Sequence, residues 1–418
     1  MTEALPPLSF DDTPVRLVDA LSLIARSYKP ATAVEESPVN SAGWRILADD
    51  VVAPISVPPA DNSALDGYAF RHADLSEGGR GATRLDVVGT SAAGHPYPYA
   101  IRSGEAVRIF TGAVMPAGSD TVAAQEETDI RGRSVTIPGG LRAGENRRVA
   151  GEDIAAGSVT LSAGERLGPA AIGLLASLGL GTVATRLPLR VAVFSTGDEL
   201  CDGVAALRPG AIYDSNRPVL LAMLAGLHIG TTDLGILPDD RETIRARLGD
   251  AARDHDAVIC TAGMSVGDED HVKAAVAGLG GLDFWSVAIK PGRPVAVGHI
   301  ADTPFFGLPG NPVAMVVTFA MIVRPALLRL AGAKPQEPRR FPVTADFSMS
   351  RRPGKREFLR CTLHDDGSRL LARRFARNGA GILSSVAGSE GLLELAETMV
   401  DIAPGMTLPF IPFSALGL

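Results

Sequence analysis

The sequence predicts a multidomain protein of the α/β plus β class: a doubly wound α/β domain, preceded by a mainly-β region and followed by a small all-β module. Three observations carry this. The chain has 418 residues, which at roughly 150 residues per domain is room for about three domains and several cores. Residues 44 to 187 hold short apolar stretches broken at close intervals by Gly, Pro and Asp, a strand-and-turn pattern. From Pro188 the rhythm changes to continuous apolar strands alternating with amphipathic helices, the pattern of a parallel sheet covered on both faces.

Taken in order, residues 12 to 29 place Val15, Leu17, Val18, Leu21, Leu23 and Ile24 at helical spacing, with Asp12 and Thr13 as caps ahead of Pro14. Strands are expected at Leu85–Val88, Ala106–Phe110, Thr121–Ala124 and Ser134–Ile137, with one interrupting helix near Pro169–Ser177. Leu189–Ser195 (LRVAVFS), Thr231–Leu237 and Ala257–Thr261 (AVICT) read as buried strands. Asn216–Leu227, Asp239–Asp254 and Asp270–Ala277 read as helices. Strand signal returns at Phe284–Ile289, Val295–Val297 and Phe305–Leu308, and a helix opens at Pro312. Residues 335 to 340 (PQEPRR) form a linker, beyond which Phe341–Leu418 is again strand-like, with turns at Arg352–Gly354 and Asp365–Gly367.

Composition excludes several classes. The net charge of −7 argues against a nucleic-acid partner held by a positive field. Aromatic residues are only 5%, too few for base-stacking platforms. Three widely spaced cysteines, Cys201, Cys260 and Cys361, exclude a disulfide framework and a CxxC metal site and fit a reducing cytoplasm. Met1–Phe10 lacks the basic and apolar regions of a leader. The longest apolar run, Val313–Val323, ends at Arg324 and Pro325 and is far short of the ~20 residues needed to span a membrane. No membrane association is expected.

Ligands of doubly wound sheets sit off the carboxyl ends of the strands, and four polar loops fall there. Ser195-Thr196-Gly197-Asp198-Glu199 follows the first strand; it reads either as a connection with acidic caps or as free amides followed by carboxylates. Thr261 to Asp268 (TAGMSVGD) offers amides and hydroxyls to an anion, or is a generic turn. Lys290-Pro291-Gly292-Arg293-Pro294 holds two cations on a rigid turn suited to oxyanions, or is a solvated turn. Leu308-Pro309-Gly310-Asn311-Pro312 enters a helix with Asn311 at the cap and Pro312 at the first position; the same helix end could hold an anion. GxxxxGK[ST] and GxGxxG are absent, so the usual nucleotide-binding folds have no support. In the β-rich half, Asp61 to Ala69 (DNSALDGYA) places two acids among small residues, and Gly151-Glu152-Asp153 follows Arg147 and Arg148. Each is equally a turn or a surface ion-pair cluster. Carboxylates abound and no histidine stands at metal spacing, so a hard oxygen-bound cation such as Mg²⁺, shared with a phosphorylated ligand, is the metal expected.

The order of eight segments is more specific than any one loop. DNSALDGYA, RIFTGAVMP, GEDIAAG, FSTGDEL, IYDSNR, TAGMSVGDED, AIKPGRP and GLPGNP together resemble the molybdopterin molybdenumtransferase family, the MoeA family that includes the C-terminal domain of gephyrin, over roughly residues 10 to 415. The resemblance implies four parts: an elongated discontinuous domain from 1–58 and 145–187, an inserted mainly-β domain at 59–144, a molybdopterin-binding α/β domain at 188–334 and a C-terminal β-barrel at 335–418. It implies a homodimer whose cleft on the α/β domain is completed by the partner's β-rich domain. The reaction implied is the last common step of molybdenum cofactor biosynthesis. Adenylylated molybdopterin and molybdate are the substrates; the phosphoanhydride is cleaved, AMP leaves, and molybdenum stays on the dithiolene sulfurs. The pterin-adenylylating protein and recipient molybdoenzymes are the implied hand-over partners.

Carried onto this chain, the family's catalytic positions fall on Asp66, Thr111, Asp153, Glu199, Asp239, Asp270 and Lys290, with Mg²⁺ held among Glu199, Asp239 and Asp270. Substrate-binding positions fall on Ser195, Thr196, Gly197, Asp198, Gly263, Ser265, Gly267, Arg293, Pro309, Gly310, Asn311 and Pro312. Three residues depart from the family pattern: Ala262 where a double glycine is usual, Ser286 where a basic residue is common four before the KPG lysine, and His271 where a tyrosine is usual. The competing readings are a divergent paralogue acting as a molybdopterin-binding scaffold, and a pterin adenylyltransferase.

Overall fold

A computed structural model describes residues 14–76, 81–203, 206–262 and 271–418. Its centre is a six-stranded sheet made of β1 (Arg190–Thr196), β2 (Gly230–Leu237), β3 (Ala257–Thr261), β4 (Gly280–Ser286), β5 (Pro294–Ile300) and β6 (Thr303–Leu308), in spatial order β2-β1-β3-β6-β5-β4. Strands β2, β1, β3 and β6 run parallel, whereas β6, β5 and β4 are joined antiparallel. A wholly parallel sheet is thus corrected at one edge. The two-residue step from Ile300 to Thr303 leaves no room for a crossover helix, which a parallel return needs.

Helices α1 (Asn216–Gly226), α2 (Arg241–Asp254) and α3 (His271–Leu279) flank the sheet. Alternation along β1 sends Val191 and Val193 into one apolar core and Ala192 and Phe194 into another on the opposite face. That two-sided burial is why the strand reads as a continuous apolar run. The helix opening at Pro312 runs on to Leu330, 19 residues with mean hydropathy 1.9, and 78% of its apolar window is buried inside the protein. It is long and apolar enough to cross a membrane, but it packs as a core helix, joined to Val193, Phe306 and the N-terminal helix in one cluster. Pro325 does not end it, contrary to the sequence expectation. Proline lacks an N–H and crowds the carbonyl four residues back, and the turn just before it, Phe319–Val323, is π-helical, a widening that accommodates such a break.

The N-terminal helix spans Leu17–Ser27 and packs Leu17, Ala20 and Ile24 on the same core. Asp12 and Thr13, the expected caps, lie outside the described residues. Arg16 occupies the N-cap without a side-chain cap bond, because Val15 is drawn out straight: its N–H donates to the Ser286 carbonyl at 3.0 Å.

Two separated stretches build a further unit. Val34–Pro38 pairs with Thr182–Arg186, and Val51–Val52 with Val159–Leu161. Leu47, Ala53, Leu167 and Leu175, the last on helix Pro169–Ser177, share its core. Between them lies a six-stranded sheet ordered Thr121–Ala124, Gly67–Phe70, Glu105–Ile109, Thr83–Ser91, Ser134–Ile137 and Asp129–Arg131. The C-terminal strands Arg356–Asp365, Leu370–Arg374, Phe341–Ala345, Thr407–Pro412 and Gly391–Leu395 close into a five-stranded barrel through the pairing of the first with the last. Cys361 lies buried in the barrel, and burial pushes its thiol up to about 12, which makes it inert. The accessible surface is 20689 Å²; a compact monomer of this mass would expose about 15,000 Å², so the units are strung out rather than packed into one ball.

Candidate active site

The strand order reverses between β1 and β3. The chain leaves β1 for β2 on one side, then crosses to β3 on the other, and such a switch point opens a crevice at the carboxyl ends. Ser195 and Thr196 end β1, Thr261 ends β3, and Pro309-Gly310-Asn311 follows β6. Asn216, the first residue of α1, ties these loops together. Its Nδ2 donates to Thr261 Oγ1 at 3.0 Å, to the Gly310 carbonyl at 2.8 Å and to the Pro309 carbonyl at 3.5 Å. The hydroxyls of Ser195 and Thr196 and the Oδ1 of Asn216 are buried with no partner among the described residues. Buried polar atoms are normally satisfied, so this trio is free to bond a polar group entering the crevice.

Neighbouring residues hold the crevice in shape. The Arg217 guanidinium donates to Asp214 at 3.0 Å, to Asp233 at 2.5 Å and also to Asp202. This clamps α1 to β2 and to the loop after β1; Asp214 and Arg217 are both buried. Gly197 sits at φ 146°, and a Cβ there would stand 2.6 Å from a Glu199 carboxylate oxygen, so the turn needs glycine. Asp198 and Glu199 are exposed at the mouth. Asp239 is also exposed, after β2. Its neighbour Asp240 caps α2 by accepting from the Thr243 N–H at 2.8 Å. The bonds from Thr243 hold the Asp240 carboxyl below its usual range, and His271, at the start of α3, lowers it further. Gly263, Ser265, Gly267 and Asp270 lie outside the described residues. Among the described residues no group of three acids, histidines or cysteines is placed to hold a metal ion.

The KPGRP turn reaches the barrel. Ile289–Lys290 pairs in parallel with Arg356–Glu357, and the Lys290 ammonium lies 2.9 Å from Oε1 of Glu357. Glu357 is buried and its Oε2 accepts from Arg351 at 2.9 Å. Lys290 therefore bridges two units, which its loop alone did not disclose. Gly292, at φ 110°, lies 2.3 Å from Thr318 Oγ1 measured from a Cβ position, so the turn lies flat on the core helix. Arg293 is exposed. At the last loop Asn311 holds the cap position but makes no side-chain cap bond. The Val313 N–H, expected to be open to an anion, donates to the Ala380 carbonyl at 3.0 Å. Ala262 sits at φ 70°, a conformation that glycine adopts freely and alanine does not, and Gly310 packs against its methyl.

On the β-rich side, Asp66 and Thr111 meet. The Thr111 N–H and hydroxyl both donate to Asp66 Oδ1 at 2.8 Å, which holds that exposed carboxyl below the usual aspartate range. Gly67 follows because a Cβ would lie 1.9 Å from the Ala123 carbonyl oxygen. The DNSALDGYA and RRVAGED segments come together: Asn62–Ser63 pairs with Arg147–Arg148, and Arg147 lies 3.5 Å from Asp61. Asp153 is exposed on the turn whose N–H groups bond back to the Val57 carbonyl. Among the described residues no hydrogen bond or ion pair joins Asp66, Thr111 or Asp153 to the α/β crevice of the same chain. Asn216, Arg217 and Glu357 were not among the expected site residues. The first two stand in the IYDSNR segment, and Glu357 has no local signal at all.

An α/β crevice with unpaired hydroxyls at a strand switch, flanked by discontinuous β units and a closing barrel, defines a protein of the molybdopterin-binding class. The family models agree in chain order: MoeA N-terminal region (domain I and II) matches residues 15–179, the probable molybdopterin binding domain 192–329, and MoeA C-terminal region (domain IV) 342–413. The chain is 36% identical to the molybdopterin molybdenumtransferase of Haemophilus influenzae over 92% of its own length and 95% of the relative's. It is also 36% identical to molybdopterin molybdenumtransferase 2 of Mycobacterium tuberculosis, with the same coverage. The crystal structure of the molybdopterin biosynthesis MoeA protein from Pyrococcus horikosii superposes with a TM-score of 0.77 at 31% identity, covering 96% of this chain and 99% of that one. The chain belongs to the molybdopterin molybdenumtransferase (MoeA) family.

Proposed function

We propose that this chain is a transferase of molybdenum cofactor biosynthesis, which takes adenylylated molybdopterin and molybdate, cleaves the phosphoanhydride, releases AMP and leaves molybdenum on the dithiolene sulfurs. The observation that carries the reading is the buried unpaired trio of Ser195 Oγ, Thr196 Oγ1 and Asn216 Oδ1 at the switch point, in a chain of this family. Hydroxyl donors and the loop amides suit phosphate and pterin oxygens. Lys290 and Arg293 supply the cations that a phosphoanhydride and a molybdate dianion require. Gly197 and Asp198 belong to the first loop and Pro309, Gly310, Asn311 and Pro312 to the last, while Gly263, Ser265 and Gly267 enter the reading by their place in the sequence alone. The dithiolene itself supplies the sulfur ligands for molybdenum, so no Cys or His set is called for.

Hard carboxylate oxygens at the mouth, from Glu199 and Asp239 after adjacent strands, are the donor type that suits Mg²⁺, which takes one or two carboxylates together with substrate oxygens. With Asp270 they would hold it, and when bound it neutralises charge on the phosphoanhydride. Asp66, Thr111 and Asp153 belong to the same reading as groups that a second subunit brings to the crevice, across domain limits near residues 59, 145, 188 and 335. The surplus of exposed surface supports a homodimer. So does the exposed apolar pair Val52 and Val159 on adjacent strands, 52% and 55% accessible. The three cysteines form no disulfide, in keeping with the cytoplasm. Purified protein should release AMP from adenylylated molybdopterin in a molybdate-dependent manner. Release of pyrophosphate from ATP and molybdopterin would mark an adenylyltransferase instead, and no turnover in either assay would mark a scaffold.

A further inference from the structure

At the other end of the sheet lies a second cavity with different chemistry. It has a volume of about 170 Å³, is partly open to solvent and is lined by Trp44, Arg166, Arg186, Leu189, His228 and Leu328, among others. Leu189 precedes β1 and Ile229, also in the lining, precedes β2. The cavity therefore faces the amino ends of the strands, roughly 20 Å along a seven-residue strand from Ser195 and Thr196. Two units of the protein form it: Trp44 and Arg166 come from the discontinuous β unit, and His228 and Leu328 from the α/β domain.

Its polar groups are mostly cationic. The Trp44 ring stacks on the His228 imidazole at 5.3 Å, with an interplanar angle of 11°, and the Arg166 guanidinium lies 5.3 Å over the same indole. Arg166 donates its Nε–H to the Trp44 carbonyl at 3.4 Å, but its Nη2 is buried with no partner among the described residues. Behind the lining, Arg324 stands one helical turn before Leu328, and its Nε and Nη1 are buried without partners among the described residues. Arg186 uses its Nη1 on the Thr32 carbonyl. Among the described residues no carboxylate pairs with Arg166 or Arg324. Burial lowers the pKa of both guanidinium groups, and at Arg324 the like charge of Arg166 lowers it further. Burial and then Arg166 lower that of His228, which keeps the imidazole neutral at neutral pH. Buried cations in proteins are ordinarily paired; the Arg166 and Arg186 guanidinium groups that line this partly open space, with Arg166 Nη2 unmatched among the described residues, suit oxygen acceptors. The volume is well below that of nucleotide- or pterin-sized pockets.

We infer that this cavity is a second anion site, separate from the α/β crevice, which takes one small tetrahedral oxyanion of the phosphate, sulfate and molybdate class. A dianion there meets the guanidinium charges of Arg166 and Arg186 and holds the β unit against the α/β domain. The inference does not depend on the reaction proposed for the crevice.

Trp44 makes the site readable. The chain has two tryptophans, so Trp285→Phe leaves Trp44 as the sole reporter. That variant is titrated with inorganic phosphate, sulfate and sodium molybdate in turn, chloride holding the ionic strength constant. The expected result is a saturable change in Trp44 emission with at least one of the three, the ranking identifying the source. The midpoint should weaken at least tenfold in both Arg166→Met and Arg186→Met made in that background. No saturable change up to tens of millimolar overturns the inference, and so does a change that follows Lys290→Ala rather than the two arginines. Emission that responds to protein concentration but to no anion also overturns it, because a second copy of the chain then covers the cavity. Should the arginine variants not fold, melting of the unmodified protein decides: phosphate, sulfate or molybdate must raise Tm above matched chloride, together with the Trp44 response.

Discussion

Replacing Lys290 by alanine separates a structural from a chemical role for the KPGRP turn. The Lys290–Glu357 pair is 2.9 Å long, but the lysine side chain is 53% exposed. An ion pair that open to water contributes about 0.2–1 kcal/mol. Glu357 is not orphaned by the change, since Arg351 still donates to its other oxygen at 2.9 Å. Stability should therefore fall by no more than about 1 kcal/mol, or roughly 2–4 °C in Tm for the cooperative unit concerned. In the crevice, loss of a charge-assisted contact to molybdate or phosphate costs about 1.5–3 kcal/mol, which raises the molybdate concentration for half-maximal AMP release by about 10- to 150-fold. Differential scanning fluorimetry and an AMP-release assay read the two quantities on one preparation. A Tm loss beyond about 10 °C would mean that the lysine is chiefly a clamp between the α/β domain and the barrel. A normal Tm with unchanged molybdate dependence would mean that Glu357 keeps the ammonium to itself.

The remaining predictions address other residues. Ala262→Gly removes a left-handed conformation that costs alanine about 1–2 kcal/mol and adds about 0.4–1 kcal/mol of unfolded-state freedom, so denaturant titration should show no loss and up to about 1 kcal/mol of gain; a clear loss of stability would refute the strain. Thr111→Val removes the hydroxyl donor to Asp66. Because the folded carboxyl is depressed, the stabilisation it brings is present above the ordinary aspartate range and fades as pH falls through its lowered value. The variant should protonate at higher pH by carboxyl-carbon NMR, and an unchanged titration would discard the bond. Ser286→Lys should lower the molybdate requirement by restoring a cation near Lys290; an unchanged or higher requirement points to Arg293 as the donor. Asp66→Ala and Glu199→Ala chains should each be nearly inactive, yet co-expression should recover about a quarter of wild-type activity, since random assortment makes about half the dimers mixed, each with one intact site. Recovery no better than either single variant, in a sample shown to contain mixed dimers, would put both acids to work within one chain.

Local elements were legible where apolar runs stand between strong turn residues. Thr121–Ala124, Ser134–Ile137, Ala257–Thr261 and Pro169–Ser177 have the same limits in the structure as in the sequence reading. Direction was not legible: Phe284, Val297 and Phe306 face apolar cores in any orientation, and only the short Ile300–Thr303 connection forces β5 and β6 antiparallel. The reach of the last helix past Pro325 was missed because the π-helical turn that admits it has no sequence mark among uniformly apolar residues. At the site, loops named by their text were found, but the ties between them were not. Asn216 ties β3 to the loop after β6, reaching Gly310 across more than ninety residues of chain, and Glu357 meets Lys290 from another unit. Such pairings are settled by tertiary packing, not by spacing.

The widened turn at Phe319–Val323 also sets an angle. Each residue of an α-helix advances the side-chain direction by about 100°, and a π-helical turn takes up one residue more than its neighbours. The half carrying Val313, Met315 and Val316 and the half carrying Ala326, Leu327 and Leu330 are thus out of phase by about that amount, and yet both are buried. The helix works as a cam. Its first half aims the Pro309–Asn311 loop at Asn216 while its second half presents a different face to the N-terminal helix. Removing one residue from Phe319–Val323 would straighten the ladder and leave the core apolar, but it would rotate one end against the other, so the loop or the N-terminal helix would lose its seat.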